Sequence, residues 1–325
     1  MANKTACFII GIAGMVAVGV TVLNAYPPVA PWEWIAERLT AEKVIKLAIE
    51  VLALLPLALL VELTVTGWQG SSLHRLLVER RASVKVDWLL YAINELRLPH
   101  LLVLPLSAFG FSAAALVGNG VLAQHLGLAP WTTVDDPLLG FVLGWVLRDF
   151  TFYWVHRLLH SRVWWPLHRL HHSAKEMTVV CSGRSNFIAD LGLNLLLATP
   201  LSLLTLPQES ILATQLVIIF HGYLTHSNWL SGWGWFGRWV LVSPLHHRLH
   251  HGLRPEEYSR NMATMPIWDH LFGTFTQPDP KPVAIGVQHP CYETVRGSFA
   301  MLLPELGETA RLMVGKPVDD PSVPG

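Results

Sequence analysis

The sequence has few charged residues, few cysteines and no net charge, and each shortage excludes a class of protein. Asp, Glu, Lys and Arg make up 14% of the 325 residues, compared with about 25% in an ordinary soluble domain. The 23 basic and 23 acidic side chains cancel, so there is no electrostatic basis for nucleic-acid binding. The three cysteines, Cys7, Cys181 and Cys291, are too few and too scattered for a disulfide framework or a cysteine-based zinc site.

Apolar residues are abundant instead, since they make up 52% of the chain and the mean hydropathy is +0.40. This composition excludes disorder and predicts an integral membrane protein. Four runs approach the ~20 residues that a bilayer crossing requires, at about 6–24, 47–66, 100–123 and 137–156. Two shorter runs, at about 191–206 and 210–225, predict a re-entrant or short hairpin. The first run also has features of a signal peptide, although Leu23 argues against cleavage after Ala25.

Basic residues predict the orientation of these segments. The connection 68–98 carries five Lys or Arg residues, whereas 124–136 carries none and ends in Asp135 and Asp136. The first connection is therefore expected in the cytoplasm. Counted from there, the helix that begins near Asp136 ends in the cytoplasm at His156 and His160. The basic residues that surround the later histidines predict the same side.

Histidine is the unusual feature, because eleven of the sixteen histidines lie between His156 and His251. They form HRLLH at 156–160, HRLHH at 168–172 and HHRLHH at 246–251, with His221 and His226 between the last two segments. Spacings of three and four place side chains on one face of a helix, so the imidazoles can converge at one membrane surface. The candidate metal ligands are His156, His160, His168, His171, His172, His221, His226, His246, His247, His250 and His251.

So many nitrogen ligands favour a centre with two metals, because a structural zinc needs four ligands and a catalytic zinc needs three. Imidazole suits zinc, copper, iron and nickel, so the ligand type does not identify the metal. A metal transporter or sensor is an alternative, although transport sites usually lie near the bilayer midplane. A haem cytochrome would need isolated axial histidines rather than adjacent pairs. An inactive relative held together by zinc is a further alternative.

The ordered motifs resemble those of the fatty acid hydroxylase and sterol desaturase superfamily of membrane non-haem diiron oxygenases. The resemblance covers about 135–276 and includes Asp149-x6-His156, the three histidine segments and WDHLFGT at 268–274. The 246–252 stretch is similar to that of alkylglycerol monooxygenases and of bacterial members. The resemblance implies a diiron cofactor, with zinc as a substitute in purified protein, and a reaction that uses dioxygen to hydroxylate or desaturate a lipid or sterol. It also implies an electron donor such as cytochrome b5 or a ferredoxin.

The resemblance assigns the metal ligands of the family motif to individual positions of this sequence. His156, His160, His168, His171, His172, His247, His250 and His251 match the ligands of the family motif, and His226 matches a histidine that usually precedes the last segment. His221 and His246 are further candidates. Two departures bear on substrate identity. Many bacterial relatives have a histidine near Asn186, and the stretch 259–263 replaces a more usual Asp-x-Asn-aromatic-Gly.

Asp149 is the principal candidate for a residue that supports a ligand. It lies seven residues before His156 on the same helical stripe, where a carboxylate can orient a metal-bound imidazole. A salt bridge to Arg148 or to another arginine is the alternative. The expected fold is an all-α, multi-pass membrane bundle with a cytoplasmic, histidine-rich diiron cap. We expect N-terminal membrane helices over 1–134, a catalytic domain over 135–276 and a polar, proline-containing tail over 277–325 with one amphipathic helix near 293–314.

Overall fold

The computed structural model describes residues 41–95, 132–186, 189–190, 197, 204–279, 281 and 283–318, and these residues are mostly helical. The helices are α1 (Ala41–Gly70), α2 (Ser72–His74), α3 (Ala82–Glu95), α4 (Pro137–Leu159), α5 (Arg169–His172), α6 (Gln208–His226), α7 (Gly234–Trp239), α8 (Pro244–His250), α9 (Pro255–Tyr258), α10 (Pro266–Phe272) and α11 (Val295–Met313). A π-helical turn spans Arg75–Glu79, and 3₁₀ turns span Trp165–Leu167, Val179–Gly183 and Pro290–Glu293. Two short parallel strands, β1 (Thr132–Thr133) and β2 (Leu204–Thr205), pair with Thr132 opposite Leu204.

Two helices of the described region are long and apolar enough to cross a membrane. They are the Ala53–Gly70 part of α1 and the whole of α4, which correspond to the runs predicted at 47–66 and 137–156. Helix α6 coincides with the predicted run 210–225 but is not one of these two. The runs at 6–24 and 100–123, and most of 191–206, lie outside the described residues.

Helix α4 carries the first two histidines of the predicted site. It begins where the sequence predicts, because Oδ1 of Asp136 accepts a hydrogen bond from the Leu139 amide at 2.7 Å and Pro137 occupies the first turn. Its exposed side includes Leu138 and Leu139, which are 72% and 51% exposed. Its other side is buried and approaches α6 closely at Gly140, where a Cβ atom would lie 2.8 Å from Oγ of Ser210. Helix α4 therefore has one apolar exposed face and one face that belongs to the protein interior.

The C-terminal helix α11 packs on the same body that carries the histidines. Leu302 of α11 joins a buried apolar cluster with Val86 and Leu90 of α3 and Leu170 of α5. Next to this cluster, the carboxylate of Glu305 accepts a hydrogen bond from the Tyr292 hydroxyl at 2.6 Å. The segment predicted to be a polar tail thus contains the expected amphipathic helix, and this helix is packed against the histidine-bearing region.

Candidate metal centre

Four chain segments bring the predicted histidines to the C-terminal end of α4. The last turn of α4 supplies His156 and His160, the 168–172 segment supplies three, α6 ends at His226, and α8 with the residue after it supplies the rest. Nine of the eleven candidates gather in two groups. The five-histidine group consists of His156, His160, His168, His172 and His250, and the four-histidine group consists of His171, His226, His247 and His251. Within each group, the possible ligand atoms all lie within 4.8 Å of one another.

The adjacent histidine pairs divide between the two groups. His171 and His172 belong to different groups, and so do His251 and His250. The side chains of neighbouring residues on a helix point about 100° apart. One short helix can therefore supply an imidazole to each of two sites. The two groups adjoin, because the stacked rings of His172 and His251 have centroids 4.3 Å apart. The repeated HxxHH pattern is thus explained by two neighbouring sites that share their supporting helices.

Backbone carbonyls determine which ring nitrogen carries the proton in four of these histidines. In the five-histidine group, Nδ1 of His156 lies 2.6 Å from the Met262 carbonyl oxygen, and Nδ1 of His250 lies 2.7 Å from that of Arg260. In the four-histidine group, Nδ1 atoms of His171 and His226 face the carbonyls of Arg184 and Gly222 at 3.2 and 2.7 Å. A carbonyl oxygen only accepts hydrogen bonds. Each of these imidazoles therefore carries its proton on Nδ1, which leaves Nε2 with a bare lone pair.

These bare nitrogens face one another within each group. The Nε2 atoms of His156 and His250 are 3.1 Å apart, and those of His171 and His226 are 3.2 Å apart. Two lone pairs at this distance cannot form a hydrogen bond, so they repel unless a cation lies between them. Two nitrogens that bind one metal at about 2.1 Å lie about 3.0 Å apart when the bonds are perpendicular. The donor set and its spacing therefore fit a transition-metal ion in each group.

Further nitrogens in the groups lack any other partner. Both ring nitrogens of His172, Nδ1 of His160 and Nδ1 of His251 are buried without a hydrogen-bond partner within the described part of the chain. Buried polar groups are otherwise paired in the great majority of cases. Burial, reinforced by the neighbouring imidazoles, also lowers the pKa of His160, His168, His172, His250 and His251 well below the usual 6.5. These side chains are therefore neutral at pH 7 and available as metal ligands.

Two of the eleven candidates lie outside both groups. Nε2 of His221 donates to the Val242 carbonyl oxygen at 2.8 Å. His246 is fully buried, and its Nδ1 lies 2.6 Å from Oγ of Ser243, the residue that caps α8. Both imidazoles thus hold segments that lead into the groups. A spacing rule in the sequence could not separate them from the grouped histidines, because members of the groups lie near them in the chain.

Asp149 is buried, but its carboxylate contacts backbone amides rather than an imidazole. Oδ1 accepts from the Thr264 amide at 3.1 Å, and Oδ2 accepts from the Met265 amide at 2.8 Å. The seven-residue spacing predicts that Asp149 faces His156 directly. The structure instead places the 262–265 segment between them, and the Met262 carbonyl is what meets His156. Asp269, which the sequence shows only as part of the WDHLFGT stretch, binds the other half of this segment.

Comparison with known proteins identifies the region that holds the groups. The fatty acid hydroxylase family model matches residues 141–274. This segment contains all nine grouped histidines. Residues 141–274 are therefore similar to the fatty acid hydroxylase family. The resemblance predicted from the motifs is therefore confirmed.

The relatives that match this segment include enzymes named as lipid monooxygenases and hydroxylases. An alkylglycerol monooxygenase of Xenopus tropicalis is 31% identical over 163 residues, which cover 50% of this chain and 35% of that protein. An ornithine lipid hydroxylase of Rhizobium tropici is 38% identical over 174 residues, which cover 52% of this chain and 51% of that protein. The chain thus spans about a third to a half of the length of these relatives. No solved structure matches the chain.

Proposed function

We propose that this protein is a membrane-bound non-haem diiron enzyme that hydroxylates a carbon–hydrogen bond of a lipid. The observation that carries the proposal is the pair of adjoining histidine groups, each with bare Nε2 atoms facing each other at 3.1–3.2 Å. The family match and the lipid hydroxylases among the relatives support the reaction class. When bound, iron would supply the activation of dioxygen. The five-histidine group would hold one iron, and the four-histidine group would hold the other.

The stoichiometry of the reaction shows that the protein needs a source of electrons. Hydroxylation converts R–H, O2, two electrons and two protons into R–OH and water, so a reductant is required. We propose an external one-electron donor of the cytochrome b5 or ferredoxin type. Desaturation would consume the same dioxygen and electrons but would remove two hydrogens from the lipid and yield two waters. The two reactions are therefore distinguished by the mass of the product.

The surroundings of the site support a lipid substrate taken from the bilayer. Phe150, Trp154 and Leu158 of α4 are 36–45% exposed and lie within two turns of His156. They form an apolar stripe on the exposed face of α4, a helix that is long enough to span a membrane. The burial of the histidines also keeps bulk water away from the reacting groups. A hydrocarbon chain can approach this surface without leaving an apolar environment.

We further propose a multi-pass topology with both groups on the cytoplasmic side. Arg75, Arg80 and Arg81 follow the inner end of α1, and Asp135 and Asp136 precede the outer end of α4. This asymmetry follows the tendency of basic residues to remain in the cytoplasm. In this arrangement, residues 135–276 form the catalytic domain. Residues 1–134 supply membrane helices, and residues 277–325 contribute α11.

A lipid comparison between cells tests the proposal. Cells that produce the wild-type protein should accumulate a lipid 16 mass units heavier than its precursor, which is the addition of one oxygen. Cells with His250→Ala should lack it, because a nitrogen of the five-histidine group is lost. His74→Ala is the matched control, since His74 pairs with Glu79 outside both groups. A product two mass units lighter would indicate desaturation, and identical lipids in wild-type and His250→Ala cells would contradict the proposed activity.

A further inference from the structure

The segment Arg260–Met265, which we call the strap, is held by two buried carboxylates. The amides of Met262 and Ala263 donate to the two oxygens of Asp269 at 2.7 and 3.0 Å. The amides of Thr264 and Met265 donate to the two oxygens of Asp149 at 3.1 and 2.8 Å. Four consecutive backbone amides are thus bound by one carboxylate from α10 and one from α4.

Both carboxylates are shielded from water, so these hydrogen bonds have no competition from solvent. Asp149 and Asp269 are 1% and 0% exposed. Asp269 also accepts from Oγ1 of Thr274 at 2.6 Å, and this hydroxyl lies 3.0 Å from that of Tyr153. Hydrogen bonds to a charged carboxylate are stronger than hydrogen bonds between two neutral groups. The strap is therefore fixed relative to α4, the helix that carries His156.

The strap in turn fixes two members of the five-histidine group. Its Met262 carbonyl accepts the Nδ1 proton of His156, and its Arg260 carbonyl accepts the Nδ1 proton of His250. Asn261 lies between these carbonyls with φ of 53°, a left-handed conformation that Asn tolerates better than most residues. The Asn261 side chain is held by the Thr276 backbone through two hydrogen bonds of 2.9 and 3.0 Å. Both carbonyls are therefore held at defined positions.

The four-histidine group has no equivalent link to the strap in the described structure. Nδ1 of His171 faces the Arg184 carbonyl, and Nδ1 of His226 faces the Gly222 carbonyl on its own helix. Loss of the carboxylates should therefore affect the two groups unequally. This inequality is a property that general unfolding would not produce.

We propose that Asp149 and Asp269 act together as positioning residues for the five-histidine group. They hold the strap, and the strap holds the proton on Nδ1 of His156 and His250, so that both Nε2 atoms are presented to one metal. Neither carboxylate contacts an imidazole, unlike the direct carboxylate–histidine pairs of many metal sites. The inference rests on the proposed metal centre, and it adds the two residues that orient the five-histidine group.

The test compares iron binding by purified wild-type protein, Asp269→Asn and Asp149→Asn in detergent. Asparagine keeps the size of the side chain but offers an NH2 where one backbone amide needs an acceptor, so the strap loses one hydrogen bond at each position. Fe(II) is titrated without oxygen against a competing chelator. The wild type should bind two equivalents. Each variant should bind one equivalent as tightly as the wild type, and the other about 10- to 100-fold more weakly.

The matched control is Glu305→Gln, which also neutralises a fully buried carboxylate but contacts Tyr292 and Asn186 rather than the strap. It should lower the melting temperature and keep both iron equivalents at wild-type affinity. Two Asp variants that melt lower but bind both irons normally, or that lose both irons equally, would overturn the inference. Fewer than two irons in the wild type would instead count against the diiron proposal. If Asp269→Asn does not accumulate, Thr274→Val weakens the same anchor and should show a smaller selective loss.

Discussion

Nε2 of His156 lies 3.1 Å from Nε2 of His250, although the two residues are 94 positions apart in the chain. Each ring donates its Nδ1 proton to a strap carbonyl, so neither Nε2 has a proton to share. A fold that brings two bare nitrogens together in a buried place stores an electrostatic cost in the absence of a cation. The pair is therefore suited to hold a metal ion and not to form a hydrogen bond between imidazoles.

Removal of bound metal should lower the stability of the fold. Without a cation, the facing nitrogens repel and the buried nitrogens of His172 have no partner in the described structure. A ligand present at 100 times its Kd stabilises the protein that binds it by about 2.7 kcal/mol. Thermal unfolding before and after treatment with a chelator should show a clear decrease in Tm, which Fe(II) should reverse. A Tm that is the same with and without metal would argue against the repulsion inferred from the nitrogen positions.

Two neighbouring histidines of α8 should differ in their effect on metal content. His250→Ala removes a member of the five-histidine group and should reduce bound iron by about one equivalent. His246→Ala removes an imidazole that contacts the cap Ser243, so it should lower Tm and retain both equivalents. Elemental analysis of the two variants, purified in parallel from iron-supplemented cells, measures the difference. Loss of iron from His246→Ala at normal Tm would make His246 a ligand.

The sequence predicts the members of the two histidine groups well because their spacing is local. Adjacent and i, i+3 or i+4 histidines share a short helix wherever that helix lies, so His171 and His172 could be assigned without knowledge of the fold. The partners of the other ring nitrogens are backbone carbonyls, such as those of Met262 and Arg260, and no residue type marks them. This is why Asp149 was expected to contact His156 directly. Only the path of the strap shows that a second carboxylate, Asp269, shares its role.

The C-terminal segment illustrates the same limit. Amphipathic spacing predicts a helix near 293–314, and α11 spans Val295–Met313. The prolines of this segment predicted a polar tail, yet its Glu305 lies in the interior near Arg169 of the second histidine segment. Both side chains are fully buried. Their burial depends on long-range partners, since Nε of Arg169 donates to the Tyr292 hydroxyl at 2.6 Å and this hydroxyl donates to Glu305.

Cysteine labelling should place the two histidine-bearing segments on one side of the membrane. Lys175 and Glu256 are exposed and lie beside the second and third histidine segments, whereas Asp135 is exposed before α4. In a variant that lacks the native cysteines, Lys175→Cys and Glu256→Cys should react with a membrane-impermeant reagent only after the cytoplasmic side is opened. Asp135→Cys should react in intact cells. Labelling of Lys175→Cys and Glu256→Cys from opposite sides would contradict the proposed topology.

The buried carboxyl of Glu305 should make the stability of the protein depend on pH. Burial raises its pKa to about 7, although hydrogen bonds from Tyr292 and Asn186 oppose the shift. In the unfolded chain the pKa is about 4.3. Between these values the folded state holds a proton that the unfolded state has lost, so the free energy of unfolding should fall as pH rises from about 4.3 to about 7 and then level off.

Glu305→Gln isolates this contribution, because glutamine does not titrate. The histidines also titrate in this range, so the quantity to measure is the wild-type free energy of unfolding minus that of the variant. This difference should decrease by an amount on the order of 3 kcal/mol between pH 4.5 and pH 7.5, since each unit of pKa shift corresponds to about 1.4 kcal/mol. Glu293→Gln, at an acid that is 59% exposed, should keep the wild-type pH dependence. A difference that does not change with pH would mean that Glu305 is ionised in the folded protein, with Arg169 as its counter-charge.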